Sequence, residues 1–484
     1  MRWRKTATCR GTRSTEGFVI RLRFDRGTLL IDALAGAGSP AALPAGLALP
    51  GCAFDSRVER WRAPAIRYRD IVLALRDAGL EYQDEARTYE KLELRRQQIR
   101  TPFPYQQEAA AAWWQGKGRR GRGRGVVVLP TGAGKTFLAQ LILEKAGCST
   151  LVLTPTLDLM QQWYGVLSAD FDHEVGLIGG GYYEPRPITV TTYDSAYIHM
   201  ERLGGQYGLL VFDECHHLPG PSYALAAEAA IAPFRLGLTA TPEREDGEER
   251  RLEQLIGPVV YRREIRELAG EYLAEYETVQ VPVRLPEEER RRYQEERQIY
   301  REFLQEHRLR LGDPGGWARF LMLTSRSEAG RRAFLAYQTQ KRIAQASEAK
   351  LTRLGSLLHR HRHDRVLIFT SDNDTVYRIS RHFLIPAITH QTKIKERQEA
   401  LSRFNAGEYP FLVTSKVLNE GVDVPAASVG IVLSGSGSVR EHVQRLGRIL
   451  RRAEGKQAVL YELVAEDTGE VFVSSRRRRH SAYQ

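Results

Sequence analysis

Short apolar runs recur through two long stretches of the chain, with helix-spaced segments between them. The first stretch, from Val126 to Thr241, contains VVVL, TLVLT, PITVTT, LLVF and RLGLT. Its intervening segments, such as Phe137 to Ala146 and Leu157 to Leu167, repeat apolar residues at helical spacing. Continuous apolar strands alternating with helices predict a parallel sheet covered on both faces. The second stretch, from Val366 to Leu463, repeats the scheme with VLIFT, FLIPAIT, PFLVT, VGIVL and AVLYELV. Two α/β domains of similar build are therefore expected.

The rest of the chain follows other patterns. Pro286 to Lys350 has no strand pattern, and PEEERRRYQEERQIYREFLQEHR mixes charge with good helix formers, which predicts a helical insertion with a solvated face. A plain spacer helix would fit the same description. Residues 1–89 hold a strand-like GTLLIDAL and a helix-like RYRDIVLALRDAGL, the makings of a small α+β unit. Two basic runs, GKGRRGRGRG at 116–125 and SSRRRRH at 474–480, predict no fixed structure and suit non-specific contact with nucleic-acid phosphates.

Size and charge narrow the function classes. At 484 residues the chain exceeds one core, so three or four domains are expected. A net charge of +12 makes a polyanion the first partner to consider. Arginine supplies 60 of the 71 basic residues, and its planar fork matches phosphate; a genome rich in G and C would give the same ratio, so the net sign carries more weight. Cys9, Cys52, Cys148 and Cys215 stand singly, suggesting neither a disulfide framework nor a cysteine zinc cluster and fitting a reducing, cytoplasmic compartment. No apolar run reaches the roughly 18 residues of a membrane span, and the basic, hydroxyl-rich MRWRKTATCRGTRST reads as a tail or first strand.

The chemistry starts at VVVL followed by PTGAGKTFLAQLIL. Strand, small-residue turn and helix in that order place successive N–H groups of Thr131, Gly132, Ala133 and Gly134 around an anion. Lys135 then supplies a point charge for the β and γ phosphates of a nucleotide, and the Thr136 hydroxyl is placed to hold Mg²⁺. The full phosphate-loop pattern asks for glycine where Leu129 stands, yet GAGKT between strand and helix remains specific.

VFDECHHLP raises a separate question, because Asp213, Glu214, Cys215, His216 and His217 are five consecutive possible metal ligands. Adjacent residues on an extended chain point to opposite faces, and neither a zinc-binding helix spacing nor a paired-cysteine spacing occurs. The preceding GLLVF instead delivers Asp213 to the end of a buried strand, where a carboxylate would hold nucleotide-bound Mg²⁺. Glu214 would then act as general base for the attacking water, with His216 coupling hydrolysis to movement. Cys215 and His217 are read as packing or hydrogen-bonding residues. Farther on, HVQRLGRILRR places Gln444, Arg448 and Arg451 at helical spacing. They form either a solvated arginine stripe or, facing the first domain, groups that neutralise charge on the transferred phosphoryl.

Six motifs in order, LPTGAGKT, LTPT, DECH, TAT, NEGVD and QRLGR, resemble motifs I, Ia, II, III, V and VI of superfamily 2 helicases. TATPEREDG adds Arg244, Glu245 and Asp246 just after TAT, similar to the RED motif of the XPB (xeroderma pigmentosum group B) helicases. The resemblance spans nearly the whole chain. It implies two RecA-like parallel-sheet domains at 90–265 and 266–484, a thumb at about 286–350, and a damage-recognition-like domain, carrying FDSR and IRYRDIV, at 1–89. Two features depart from the family pattern: the glycine-arginine run before the phosphate loop is long, and Cys215 replaces a common valine.

The resemblance further implies an ATP- and Mg²⁺-dependent 3′-to-5′ DNA helicase or translocase of nucleotide excision repair or transcription-linked repair, of the archaeal and bacterial type. Gln106 would recognise adenine with Tyr105 stacking nearby, Thr239 and Thr241 would couple hydrolysis to strand movement, and Gly421 and Asp423 would serve the nucleotide from the second domain. Arg244, Glu245 and Asp246 would act at the duplex junction, and a partner nuclease would accompany a monomer or heterodimer. An RNA helicase and an ATP-switched DNA clamp without processive unwinding are the competing readings.

Overall fold

The computed structural model describes residues 19–35, 39–41, 43, 47–116, 121–243, 247–313, 315–415, 427–435, 445, 447 and 457–478. They divide into two compact units, one of residues 1–130 and 134–263 and one of residues 131–133 and 264–484.

The first unit opens with a six-stranded sheet: β1 (Val19–Asp25), β2 (Thr28–Ala35), β3 (Ser39–Ala41), β4 (Ala53–Asp55), β5 (Arg60–Pro64) and β6 (Tyr82–Asp84). The strands run in the order β4-β5-β2-β1-β6, with β3 beside β2. Arg26 and Gly27, at φ 45° and 81°, join β1 to β2, the left-handed pair a two-residue hairpin requires. The helix Tyr68–Asp77 lays Tyr68, Ile71 and Leu75 on one face of this sheet, against Ile20, Leu22, Leu29 and Ile31. Ile231, from a connection in the next sheet, lies in the same core. Close approach is allowed by Gly204, where an added Cβ would come 2.1 Å from the Ala229 carbonyl oxygen and 2.8 Å from the Phe24 ring.

An eight-stranded sheet follows in the same unit: β7 (Arg124–Val128), β8 (Thr150–Thr154), β9 (Val175–Gly179), β10 (Tyr182–Glu184), β11 (Ile188–Thr192), β12 (Leu209–Asp213), β13 (Phe234–Thr239) and β14 (Val259–Arg262). Its order is β10-β9-β11-β8-β12-β13-β7-β14, parallel throughout except for the β9–β10 hairpin. Every residue of β8, β11 and β12 is buried, which explains their unbroken apolar runs. The helices Leu157–Asp170 and Tyr193–Leu203 start where Thr156 and Thr192 accept hydrogen bonds from the Leu159 and Ser195 N–H groups.

Arg235 on β13 is fully buried. Its guanidinium donates to the carbonyls of Leu255 (2.6 Å), Ala230 (2.8 Å) and Ala232 (3.3 Å), and burial pushes its pKa well below the ordinary value. The Leu255 carbonyl ends a helix and carries partial negative charge, and with the two loop carbonyls it holds a cation here without a carboxylate. Arg235→Leu takes this donor from the buried Leu255 and Ala230 carbonyls and is expected to cost about 3 kcal/mol. A lower denaturation midpoint for the first unit checks this; an unchanged midpoint refutes it.

The second unit has a six-stranded, all-parallel sheet: β15 (Glu275–Val283), β16 (Val366–Phe369), β17 (Ala387–Ile388), β18 (Phe411–Thr414), β19 (Val429–Val432) and β20 (Gln457–Ala465), in the order β15-β20-β19-β16-β18-β17. Between β15 and β16 run the helices Glu287–Glu306, Gly316–Thr324, Glu328–Ala346 and Glu348–Arg360. The first three are more than a spacer, since Phe303, Leu309, Phe320 and Ala333 give them a core of their own.

Several expectations change. FLIPAIT yields only the two-residue β17, because the helix Asn373–Phe383 runs into it and ends with Leu384 at φ 54°. SSRRRRH is partly ordered: the helix Gly469–Arg477, capped by Thr468, enters it, and Ser474 is buried and accepts a hydrogen bond from Gln280 Nε2 at 2.9 Å. Of the glycine-arginine run, Arg124 and Gly125 begin β7, while residues 117–120 lie outside the described residues.

Candidate nucleotide site

The order of the strands brings the predicted chemistry of the first unit together. β12, β13 and β7 are neighbours, with Asp213 opposite Leu238 and Thr239 opposite Val128. Their carboxyl ends, carrying DECH, TAT and the phosphate loop, therefore open on one side of the sheet, where ligands of parallel α/β sheets bind.

Beyond β7, Gly132 and Gly134 adopt φ 87° and 73°, values that other residues reach only with strain. Gly134 is followed directly by the helix Lys135–Ala146, whose first turn contains Thr136. Lys135 Nζ donates to the Leu129 carbonyl at 3.3 Å and lies 4.0 Å from Glu214 Oε1. Leu129 is fully buried, and its own N–H donates to the Thr239 carbonyl at 3.0 Å. The residue that breaks the usual glycine pattern is thus a backbone anchor joining the loop to β13.

The two acids differ in environment. Asp213 Oδ2 accepts from Trp163 Nε1 at 2.8 Å, Oδ1 from the Glu214 N–H at 3.0 Å, and its carbonyl accepts from the Tyr193 hydroxyl at 2.9 Å. Burial, and then the charge of Glu214, push its carboxyl up to about 6, while Trp163 and Lys135 pull the other way. Glu214 sits at φ 45°, a left-handed conformation costing a non-glycine residue about 1–2 kcal/mol. Its buried Oε2 lies 3.5 Å from His216 Nδ1 and accepts no hydrogen bond among the described residues.

His216 Nδ1 is also 3.0 Å from Thr239 Oγ1, which donates to the Thr241 carbonyl and accepts from the Thr241 N–H, both at 3.1 Å. All three side chains are buried. DECH and TAT are thereby one hydrogen-bonded chain. Cys215 packs in the core against Gly237, where an added Cβ would approach its sulfur to 3.1 Å. His217 is half-buried, with its ring 4.4 Å from that of His216.

Gln106 is buried, with its side-chain nitrogen 2.6 Å from where a Cβ on Gly134 would stand, and its Oε1 accepts from the Phe103 N–H at 3.0 Å. That oxygen caps its own helix, Pro104–Gln115. Tyr105 is buried against Phe103, and it is the Phe103 ring that is exposed. Gly421, Asp423, Gln444, Arg448, Arg451, Arg244, Glu245 and Asp246 lie outside the described residues. Arg445, within QRLGR, is buried with its guanidinium 5.4 Å from the centre of the Phe369 ring. Trp163 and Tyr193 are missing from the sequence-based assignment; nothing local marks them, since Asp213 is 50 and 20 residues away.

The donor set fits a magnesium–triphosphate. Gly132 and Gly134 hold the turn at positive φ, Lys135 meets a carbonyl and a carboxylate 4.0 Å away among the described residues, and two acids are buried beside it. When bound, Mg²⁺ would neutralise phosphate charge.

Three regions of the chain match known families: the res subunit of type III restriction enzymes at 99–244, the helicase conserved C-terminal domain at 349–453, and the xeroderma pigmentosum group B helicase damage recognition domain at 22–86. The chain is 38% identical to the DNA 3′-5′ translocase XPB2 of Sulfurisphaera tokodaii over 95% of its own length and all of that protein. The chain belongs to the XPB helicase family. Another XPB relative, the DNA 3′-5′ helicase XPB of Mycobacterium tuberculosis, shares 32% identity over 78% of this chain, which spans 63% of that protein. The fold matches a structure of Saccharomyces cerevisiae Dbp5 bound to RNA and ADP BeF3, with TM-score 0.54 and 14% identity over 80% of this chain and 89% of that one. At 14% identity, that likeness concerns the fold alone.

Proposed function

We propose that this chain is an ATP-driven 3′-to-5′ DNA translocase or helicase that opens or remodels duplex DNA in excision or transcription-linked repair. The observation that carries the reading is the buried chain running from Lys135 through Glu214 and His216 to Thr239 and Thr241, at the ends of three adjacent strands of an XPB-family protein.

In this reading the N–H groups of Thr131, Gly132, Ala133 and Gly134, together with Lys135, bind the phosphates of ATP, while Thr136 and Asp213 would hold Mg²⁺. Glu214 accepts the proton of the water that attacks the γ-phosphoryl group, with its buried Oε2 3.5 Å from His216 Nδ1. His216 and Thr239 then register the change at Glu214 and pass it to Thr241, beyond which the chain enters the segment of Arg244, Glu245 and Asp246. Gln106 recognises adenine, as its place in FPYQQ implies. Gln444, Arg448 and Arg451 neutralise charge in the transition state, and Gly421 and Asp423 contact the nucleotide. The domains follow the boundaries set out above, with residues 1–89 recognising DNA structure and residues 286–350 acting as a thumb. Cytoplasmic action on the nucleoid with a partner nuclease, as a monomer or heterodimer, completes the proposal.

ATP hydrolysis measured alone and with single-stranded, duplex and forked DNA, and with RNA, tests it. DNA is expected to raise turnover, and raised salt to remove the effect, because phosphate contacts dominate sequence-blind binding. Equal activation by RNA, or none by any DNA, refutes the reading.

A further inference from the structure

Two aromatic side chains converge on Asp213 from the segments that start at LTPT and TTYD. Trp163 lies two turns into the helix Leu157–Asp170, which Thr156 of LTPT caps. Tyr193 is the first residue of the helix Tyr193–Leu203, which Thr192 of TTYD caps. The two strands leading into these helices are cross-linked, since Thr154 Oγ1 donates to the Thr191 carbonyl at 3.2 Å. Both aromatics are only 1% exposed, so their polar atoms meet protein rather than water.

We infer that Trp163 and Tyr193 are positioning residues that fix the Asp213 carboxylate for Mg²⁺ and, with the DNA strand of the motor reading lying along LTPT and TTYD, carry its occupancy to that carboxylate. An indole N–H can only donate, so at 2.8 Å it holds Oδ2 as an acceptor and sets the plane of the carboxylate. With Oδ1 held by the Glu214 N–H at 3.0 Å, one hydrogen bond restrains each oxygen and leaves each a further lone pair. The Tyr193 hydroxyl at 2.9 Å fixes the Asp213 carbonyl, hence the last peptide of β12. A shift of either helix on binding a strand therefore moves a group that touches Asp213 directly. Such outer partners of a metal ligand commonly matter about 10–100-fold in metal affinity. The DNA part of this inference rests on the motor reading above; the magnesium part does not.

Binding of a fluorescent, non-hydrolysable ATP analogue to the full chain, titrated with Mg²⁺, reads the first part without turnover. Trp163→Phe keeps an aromatic ring but loses the N–H, and the half-saturating Mg²⁺ concentration is expected to rise about 10-fold. Trp113→Phe is the matched control, since Trp113 is equally buried and loses a comparable bond, from Nε1 to the Arg235 carbonyl at 3.0 Å, away from Asp213. Its Mg²⁺ midpoint should stay at the wild-type value. Repeating the titration with single-stranded DNA reads the second part: DNA shifts the wild-type midpoint, and the shift shrinks in Trp163→Phe and Tyr193→Phe. A wild-type midpoint in Trp163→Phe, or an equal rise in Trp113→Phe, overturns the positioning role; an undiminished DNA shift in both aromatic variants overturns the coupling. Absence of any DNA effect on wild-type binding and ATPase would instead count against the motor reading, leaving the DNA-free magnesium result to stand on its own.

Discussion

Glu214→Gln should abolish most ATP turnover, by about 10³-fold, while leaving nucleotide affinity nearly unchanged. The substitution keeps the shape of the side chain and its left-handed backbone, and removes only the carboxylate's ability to take a proton. Glutamine can still meet His216 and Lys135, so the fold of the strand ends should survive. The signature is therefore a split: kcat collapses and the dissociation constant of ATP barely moves, as for a group that acts mainly in the transition state. Phosphate-release kinetics beside a nucleotide titration would show it. Turnover within tenfold of wild type would remove Glu214 from the chemistry and reopen the reading of DECH.

Lys135→Ala should act on both constants at once. Its ammonium is nearly buried and lies 4.0 Å from Glu214 Oε1. Without it the phosphates lose a charged partner in the ground state and in the transition state, so kcat/KM should fall by about 10³-fold or more, with ATP binding weakened as well. A second effect follows in the nucleotide-free protein. Lys135 is one of the groups that draw the Asp213 carboxyl down from the value burial alone would set. Its loss leaves two adjacent buried acids, and Asp213 should retain its proton to a higher pH, observable as an upward shift of its carboxyl resonance titration. Full ATPase activity in this variant would dispose of the site altogether.

The legibility of the site in sequence was uneven for physical reasons. GAGKT and DECH each follow an apolar strand, so local pattern placed Lys135 and Asp213 at strand ends of one sheet, while Thr239 came from the resemblance of TAT to a helicase motif. Partners far apart in the chain left no such trace. Trp163 reads as one more apolar position in a helix, and Tyr193 as the start of another; only the fold puts them on Asp213. Arg235 opens a strand as if at a solvated end, yet the carbonyls of Leu255 and Ala230 make a buried place for it. In the FPYQQ segment the aromatic that stays accessible is Phe103 rather than Tyr105, because the ring of Tyr105 turns inward. Among strands, β9 and β10 escaped because glycines 179–181 interrupt them, and β15 because EYETVQVPV alternates glutamates with apolar residues at a partly exposed edge.

β13 is fastened at both ends. Arg235 locks its beginning to the turn that also lends Ile231 to the amino-terminal sheet, and Thr239 locks its finish to His216. With β12 and β7 on its flanks, it has no free edge along which to fray. Its amides should therefore be among the last in the first unit to exchange with deuterium. A tug on the amino-terminal sheet would then reach the catalytic end as displacement rather than be lost as slack, making this strand a rigid strut.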